Sequence, residues 1–194
     1  MKKSMQLTVI AFIIGLILVG NVSGQTGGKT ASFIKLLESG TYFMKASVTS
    51  EGTTAIVETY AKDGKMAVVS SVEGMSTRSV IKDRKTYMIM DSLKMVMVMP
   101  FTGTNEISKV VVDKMKLTGS GIAKFNGKDL PYDEYSNPDG IKIQYFIDGN
   151  KLAGIRSIAK EGSADLVIIE LNQNVPNSIF DIPTGYQVQE MPKL

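Results

Sequence analysis

The chain has 194 residues, of which 43% are hydrophobic and 21% charged, and it contains no cysteine, histidine or tryptophan. Without cysteine and histidine there is no thiol nucleophile, no imidazole base, and no zinc, haem or iron–sulfur site of the usual ligand types. The net charge of +3 is spread along the chain without a basic run, which argues against nucleic-acid binding. The length suits one domain whose core is large enough to fold without disulfides.

The first 24 residues have the pattern of a secretory signal peptide. Lys2 and Lys3 precede an apolar stretch, residues 7–19, which is shorter than the roughly 18 to 20 residues that span a bilayer. Small residues follow, and we expect cleavage after Gly24; an uncleaved membrane anchor is the alternative. Residues 25–194 are then expected to form a single exported domain, periplasmic where the organism has an outer membrane and secreted otherwise.

A short helix is predicted next, followed by many strands. Thr30 can cap the helix, Gly40 can end it, and its apolar stripe is Phe33, Ile34, Leu36 and Leu37. From Tyr42 onward apolar residues recur at every second position, which is typical of strands with one buried face. Turn pairs such as Asp63-Gly64 separate the strands. The predicted strands run from 42 to the turn at 51–52, then over 54–62, 65–72, 76–82, 85–91, 94–99, 117–125, 130–135, 141–147, 152–160 and 164–172.

The alternation breaks between Pro100 and Lys116. Asn105 can cap a turn there, and apolar residues at helical spacing predict a helix, although adjacent valines favour a strand. Together the segments predict a mainly β (α+β) fold. We expect a curved antiparallel sheet that forms an incomplete barrel of about ten to eleven strands, with short helices packed in its concave face as a lid.

Five of the twelve methionines lie on two successive predicted strands, at Met88, Met90, Met95, Met97 and Met99. Alternation places the last three on one face of their strand, with Val96 and Val98 on the other. One interpretation is a central strand covered on both sides, with methionine as core filling. The other is that the flexible thioethers line a cavity for apolar ligands. Alternation alone does not say which face of the sheet is concave.

Other polar features favour structural roles. Asp129, Asp133 and Glu134 lie near two tyrosines and could in principle perform acid–base chemistry, but a solvated strand face is the simpler interpretation. Gly119-Ser120-Gly121 lacks the context of a phosphate loop or nucleophile elbow and indicates a strand bulge or bend. The turn aspartates are too isolated for a calcium loop. We therefore predict no catalytic residue, no metal and no cofactor.

Two segments carry a family resemblance that extends over nearly all of residues 30–190. Residues 81–88 (IKDRKTYM) and the closing segment 180–186 (FDIPTGY) resemble the LolA/LppX-like family, as does the order of signal, helix, strands, helical insert and strands. The resemblance implies a periplasmic lipoprotein or lipid carrier built as an incomplete barrel with helices as a lid. Carrier members have an Arg-Pro pair after an early strand, where the arginine helps to hold the lid. This chain has no such pair; Lys62 and Asp63 occupy the nearest positions, and a lysine lacks the planar bidentate group of an arginine.

These features predict a non-catalytic extracytoplasmic carrier or binding protein for a lipid, acyl chain or lipoprotein. An envelope sensor or protein-interaction module, or a structural domain without ligand, are the alternatives. The expected partners are a lipid or acylated protein and a membrane-bound protein, with the carrier itself a monomer. The predicted ligand-binding residues are Phe33, Leu37, Tyr42, Met44, Met88, Met90, Met95, Met97 and Met99.

Overall fold

The computed structural model describes residues 28–50, 53–72, 75–101, 116–138, 140–160 and 162–191. The predicted signal peptide lies outside these residues. Between Pro100 and Lys116, where the sequence predicts a helix, residues 102–115 also lie outside them. Among the described residues, one α-helix, α1 (Ala31–Glu38), precedes the strands. Within the described ranges, no helix is long and apolar enough to cross a membrane.

Twelve strands form one sheet, and they include every strand that the sequence predicts. Their bounds are β1 Tyr42–Ser50, β2 Thr53–Lys62, β3 Lys65–Val72, β4 Met75–Lys82, β5 Lys85–Met90, β6 Met95–Pro100, β7 Lys116–Phe125, β8 Lys128–Ser136, β9 Lys142–Asp148, β10 Lys151–Ala159, β11 Gly162–Asn172 and β12 Gln187–Glu190. Short 3₁₀ turns lie at Asp91–Leu93 and Asn177–Phe180. The predicted mainly β fold is therefore confirmed.

The strand order is β12-β6-β5-β4-β3-β2-β1-β11-β10-β9-β8-β7. Neighbours along the chain pair as antiparallel hairpins within β1 to β6 and within β7 to β11, β1 pairs with β11, and β12 lies parallel to β6. The sheet is curved and open, because β12 and β7 form its two ends without closing on each other. The sequence did not predict β12, whose four residues are all exposed and show no buried alternation.

Turns and bulges explain how the chain builds this curved sheet. Asp63 and Gly64 both have positive φ, at 50° and 71°, as a two-residue turn between twisted strands requires. The register shifts between Lys45 and Ala46 and again between Leu117 and Gly119. Such bulges bend a strand and increase its twist. The second shift lies at Thr118, directly before the Gly119-Ser120-Gly121 segment where the sequence predicts a bulge or bend, and that segment itself pairs in regular register.

The sheet has two faces that are covered by different parts of the chain. We call the face that carries α1 the helix face: Ile34 and Leu37 are buried there against alternate residues of β1, beginning with Tyr42 and Met44. On the opposite face, Phe180 of the C-terminal segment packs on β3 to β6. Near the other end of the sheet, the opposite face carries a smaller cluster of Phe125, Leu130 and Phe146.

Candidate functional site

The five clustered methionines lie on one face of β5 and β6. Met88 is paired directly with Met97, and Met90 with Met95, while Met99 is paired with Thr86. Their side chains are half-buried, whereas the alternate residues Ile89 and Val96 are fully buried on the other side. We call Met88, Met90, Met95, Met97 and Met99 the methionine patch.

The strand register assigns the methionine patch to the helix face. Met88 lies opposite Ser79 of β4, and Ser79 lies opposite Val68 of β3. Val68 in turn lies opposite Thr59 of β2, which lies opposite Met44 of β1. Residues paired directly across a sheet point to the same side. We call this line of residues the cross-strand row: Met97, Met88, Ser79, Val68, Thr59 and Met44.

The nine predicted ligand-binding residues therefore share one face but form two groups. Leu37, Tyr42 and Met44 are buried in the core beneath α1, and Phe33 packs against that core while remaining half-buried. The methionine patch begins four strands away, at β5, which corresponds to about 19 Å at the usual strand spacing. Phe33 and the patch are therefore partly accessible in this conformation, and the patch continues the apolar surface that α1 covers.

No charged residue of β1 to β6 points to the helix face, as far as the described side chains show. By alternation, all the charged residues of these strands point to the opposite face: Lys45, Glu58, Lys62, Lys65, Arg78, Lys82 and Lys85. On β1 to β6 the described polar groups of the helix face are hydroxyls, which belong to Tyr42, Thr59, Ser70, Thr77, Ser79 and Thr86. This part of the face can therefore make apolar contacts and neutral hydrogen bonds, but no ion pairs.

Thr59 lies in the middle of this face and is fully buried. Among the described residues, its Oγ1 atom has no hydrogen-bond partner. Its neighbours on the face, Met44, Val57, Ala61 and Val68, belong to the same cluster as Ile34 and Leu37 of α1. Burying a hydroxyl without a partner costs about 1–3 kcal/mol. Sequence reasoning missed this residue, because a threonine within a strand gives no signal of its own.

The amino-terminal end of α1 is held by Asp133 of β8. This carboxylate is 2% exposed and accepts hydrogen bonds from the Thr30 backbone N–H (3.0 Å), the Thr30 hydroxyl (2.8 Å) and the Ser120 hydroxyl (2.6 Å). Burial acts to raise the pKa of Asp133, but the hydrogen bonds from Ser120 and Thr30 outweigh it and lower the pKa below its ordinary value. Thr30 makes no side-chain capping bond, so the predicted cap is absent, and its hydroxyl donates to Asp133 instead.

The prediction that the carboxylates of β8 form a solvated face was wrong for Asp133. Asp133 points to the helix face and is buried, while Glu134 points to the opposite face and bonds to Gln144 Nε2 at 2.8 Å. Asp129 is exposed. The three carboxylates therefore do not converge, and the described residues contain no acidic group of three that could hold a metal ion.

Comparisons with known proteins support the fold. No protein-family model matches the chain, and no curated protein matches it. A solved structure, an uncharacterized conserved protein from Thermus thermophilus, aligns with a TM-score of 0.52 at 12% identity over 82% of this chain and 99% of that one. Similarity at this identity establishes a shared architecture.

Two further solved structures align less closely. The Pseudomonas aeruginosa MucA/MucB complex gives a TM-score of 0.47 at 10% identity over 84% of this chain and 64% of that one. The structure of PNGF-II gives a TM-score of 0.38 at 12% identity over 78% of this chain and 31% of that one.

Proposed function

We propose that this protein is a non-catalytic, exported binding protein that takes an acyl chain onto the methionine patch and the adjoining helix face. The observation that carries the proposal is the half-buried patch on the β1 to β6 part of the helix face, where no described strand residue is charged. Such a surface suits a long hydrocarbon chain, because burial of each methylene gains about 0.8 kcal/mol without requiring a polar partner.

Methionine also supports a flexible apolar ligand. Its unbranched thioether side chain adapts to different shapes and is common on surfaces that accept several partners. Met88 and Met97 are in direct register, as are Met90 and Met95, so these side chains form adjacent pairs along two strands. An acyl chain that lay across them would contact thioethers and hydroxyls but no fixed charge.

The family resemblance supports a carrier but not a particular cargo. The open sheet with a packed helix agrees with the architecture expected of the LolA/LppX-like family. At the position of that family's Arg-Pro pair, Lys62 points to the face opposite α1 and Asp63 forms the following turn. Neither residue can hold the helix as an arginine would, so we propose acyl chains rather than lipoproteins in particular.

Two experiments test the proposal. An organic extract of the natively purified mature protein is expected to contain lipid by mass spectrometry. In the second, binding of a fluorescent fatty-acid methyl ester is measured for the wild type and for Met97→Glu, which places a costly unpaired charge in the proposed site. Because Met97 is half-buried, the variant is expected to keep a near-normal melting temperature while losing most of its binding.

Ile122→Glu is the matched control, because Ile122 is 74% exposed on β7 at the far end of the sheet. It is expected to bind the probe as the wild type does. Normal binding by Met97→Glu would exclude this face as the site. Unfolding of Met97→Glu would show that the patch is internal core. Capture of a protein without lipid would instead favour the interaction-module alternative.

A further inference from the structure

The buried Thr59 hydroxyl indicates which part of a ligand the helix face recognises. We propose that Thr59 Oγ1 donates a hydrogen bond to the carbonyl oxygen of an esterified acyl chain that lies along the cross-strand row. The inference rests on the proposed function and adds the chemical class of the ligand: neutral acyl esters are preferred to free fatty acids.

The first step concerns the hydroxyl itself. Buried polar groups are nearly always paired, so a fully buried Oγ1 without a partner in the described part of the chain needs an explanation. A hydroxyl can donate one hydrogen bond to a carbonyl oxygen that enters the site. A ligand carbonyl that accepts this hydrogen bond would recover the free energy that burial of the unpaired hydroxyl costs.

The second step concerns position. Thr59 and the methionine patch lie on the same face, joined by Val68 and Ser79 along the row. From Thr59 on β2 to Met88 on β5 the row covers three strand spacings, or about 14 Å. One leaflet of a bilayer's hydrocarbon core is about 15 Å thick, so an acyl chain can reach from Thr59 to the near side of the patch. The carbonyl would then lie beneath α1, and the end of the tail would lie against Met88.

The third step concerns charge. The basic residues of β1 to β4, which include Lys45, Arg78 and Lys82, point away from this face. Arg78 and Lys82 already donate to the carbonyls of Ile179 and Phe180 on the opposite face. A free carboxylate beneath α1 would be buried without a cation, which is unfavourable, whereas an ester carbonyl needs only the hydroxyl.

The fourth step concerns access. The ligand must displace the side chains that cover Thr59, among them those of Ile34 and Leu37 in the shared cluster. Helix α1 has eight residues, which is too short for stability in isolation, and its hydrogen bonds to Asp133 lie at its amino-terminal end. Entry of the ligand therefore requires that the apolar side of α1 move from the sheet while Asp133 retains its amino-terminal end.

Competition against the fluorescent ester tests the proposal with three unlabelled ligands: methyl hexadecanoate, hexadecanoate and n-heptadecane. At neutral pH the wild type is expected to bind the ester more tightly than the free acid. Thr59→Val preserves the shape but removes the donor, so it is expected to weaken ester binding about five- to tenfold and leave alkane binding unchanged. The melting temperature of the empty variant is expected to be unchanged or higher, since no hydrogen bond is lost.

Thr54→Val is the control, because Thr54 lies on the same strand but is exposed, with its hydroxyl 3.0 Å from that of Thr49. It is expected to bind all three ligands normally. The Thr59 inference is wrong, while acyl binding stands, if Thr59→Val changes the affinities for ester and alkane equally. It is also wrong if the variant without ligand has a lower melting temperature than the wild type. If no ligand binds the wild type, the proposed function fails and the inference falls with it.

Discussion

At the scale of single residues, Asp133 determines how α1 is attached to the sheet. Replacing it with alanine leaves the Thr30 N–H and the Ser120 hydroxyl without their acceptor. We expect a loss of about 2–3 kcal/mol in the free energy of unfolding, measured by urea denaturation. Asp129→Ala removes an exposed carboxylate from the same strand and is expected to change stability by less than about 0.5 kcal/mol. Equal losses in the two variants would contradict the anchoring role.

The lowered pKa of Asp133 makes its contribution dependent on pH. A carboxyl whose pKa is lower in the folded state stabilises the protein above its unfolded pKa of about 4, and this stabilisation is lost as the pH falls toward the folded value. The melting temperature of the wild type should therefore exceed that of Asp133→Asn at pH 7, and the difference should shrink below about pH 4. A difference that stayed constant from pH 7 to pH 2 would contradict the assigned ionised state.

Gly154 of β10 is a position where only glycine fits, because Phe125 lies over it. A Cβ atom at Gly154 would overlap the Phe125 ring and approach the Leu166 carbonyl oxygen to 2.6 Å. Gly154→Ala is expected to lower the free energy of unfolding by about 1–3 kcal/mol in chemical denaturation. The control is Gly119→Ala, because a Cβ at Gly119 meets nothing within 4 Å. Similar free energies of unfolding for the two variants would mean that Phe125 moves aside at little cost.

At the scale of secondary-structure elements, α1 depends on the sheet for its stability. Its Ile34 and Leu37 are buried, and Phe33 packs against the same cluster. The double variant Phe33→Ala/Leu37→Ala is expected to lower the melting temperature and to alter uptake of the fluorescent ester. Ser32→Ala, on the exposed side of the helix, should leave both unchanged. If the double variant matches the wild type in both measurements, α1 is neither part of the core nor a cover for the site.

Strands and turns were predictable from local pattern, whereas the contacts between distant segments were not. Alternation from Tyr42 onward and pairs such as Asp63-Gly64 identify the hairpins, because both signals lie within a few residues. That the methionine patch shares a face with Met44 depends on the register across six strands, β1 to β6. The bond from Thr30 to Asp133 joins residues 103 positions apart, and no spacing rule indicates such a pair.

At the scale of the whole molecule, the C-terminal segment covers the opposite face of the methionine strands. Phe180 is buried there against Val80, Ile89 and Val96. Phe180→Ala is expected to reduce the free energy of unfolding by about 3–5 kcal/mol, measured by chemical denaturation. Val188→Ala serves as the control, because Val188 is 59% exposed on β12 and its truncation should cost little. An effect of Phe180→Ala no larger than that of the control would show that the segment is not part of the core.

The parallel pairing of β12 with β6 has a consequence for the order in which the protein folds. As a chain emerges from its amino-terminal end, hairpins β1 to β6 can form at once, but β6 gains its second neighbour only when residues 187–190 arrive. During that interval one edge of β6 is unpaired, and Phe180 does not yet cover Val96 and Val98 on the face opposite the methionines. Long-range pairings of this kind form late, and unpaired edges promote association between chains. We therefore expect this edge to promote association between chains until residues 180–190 pack against β6.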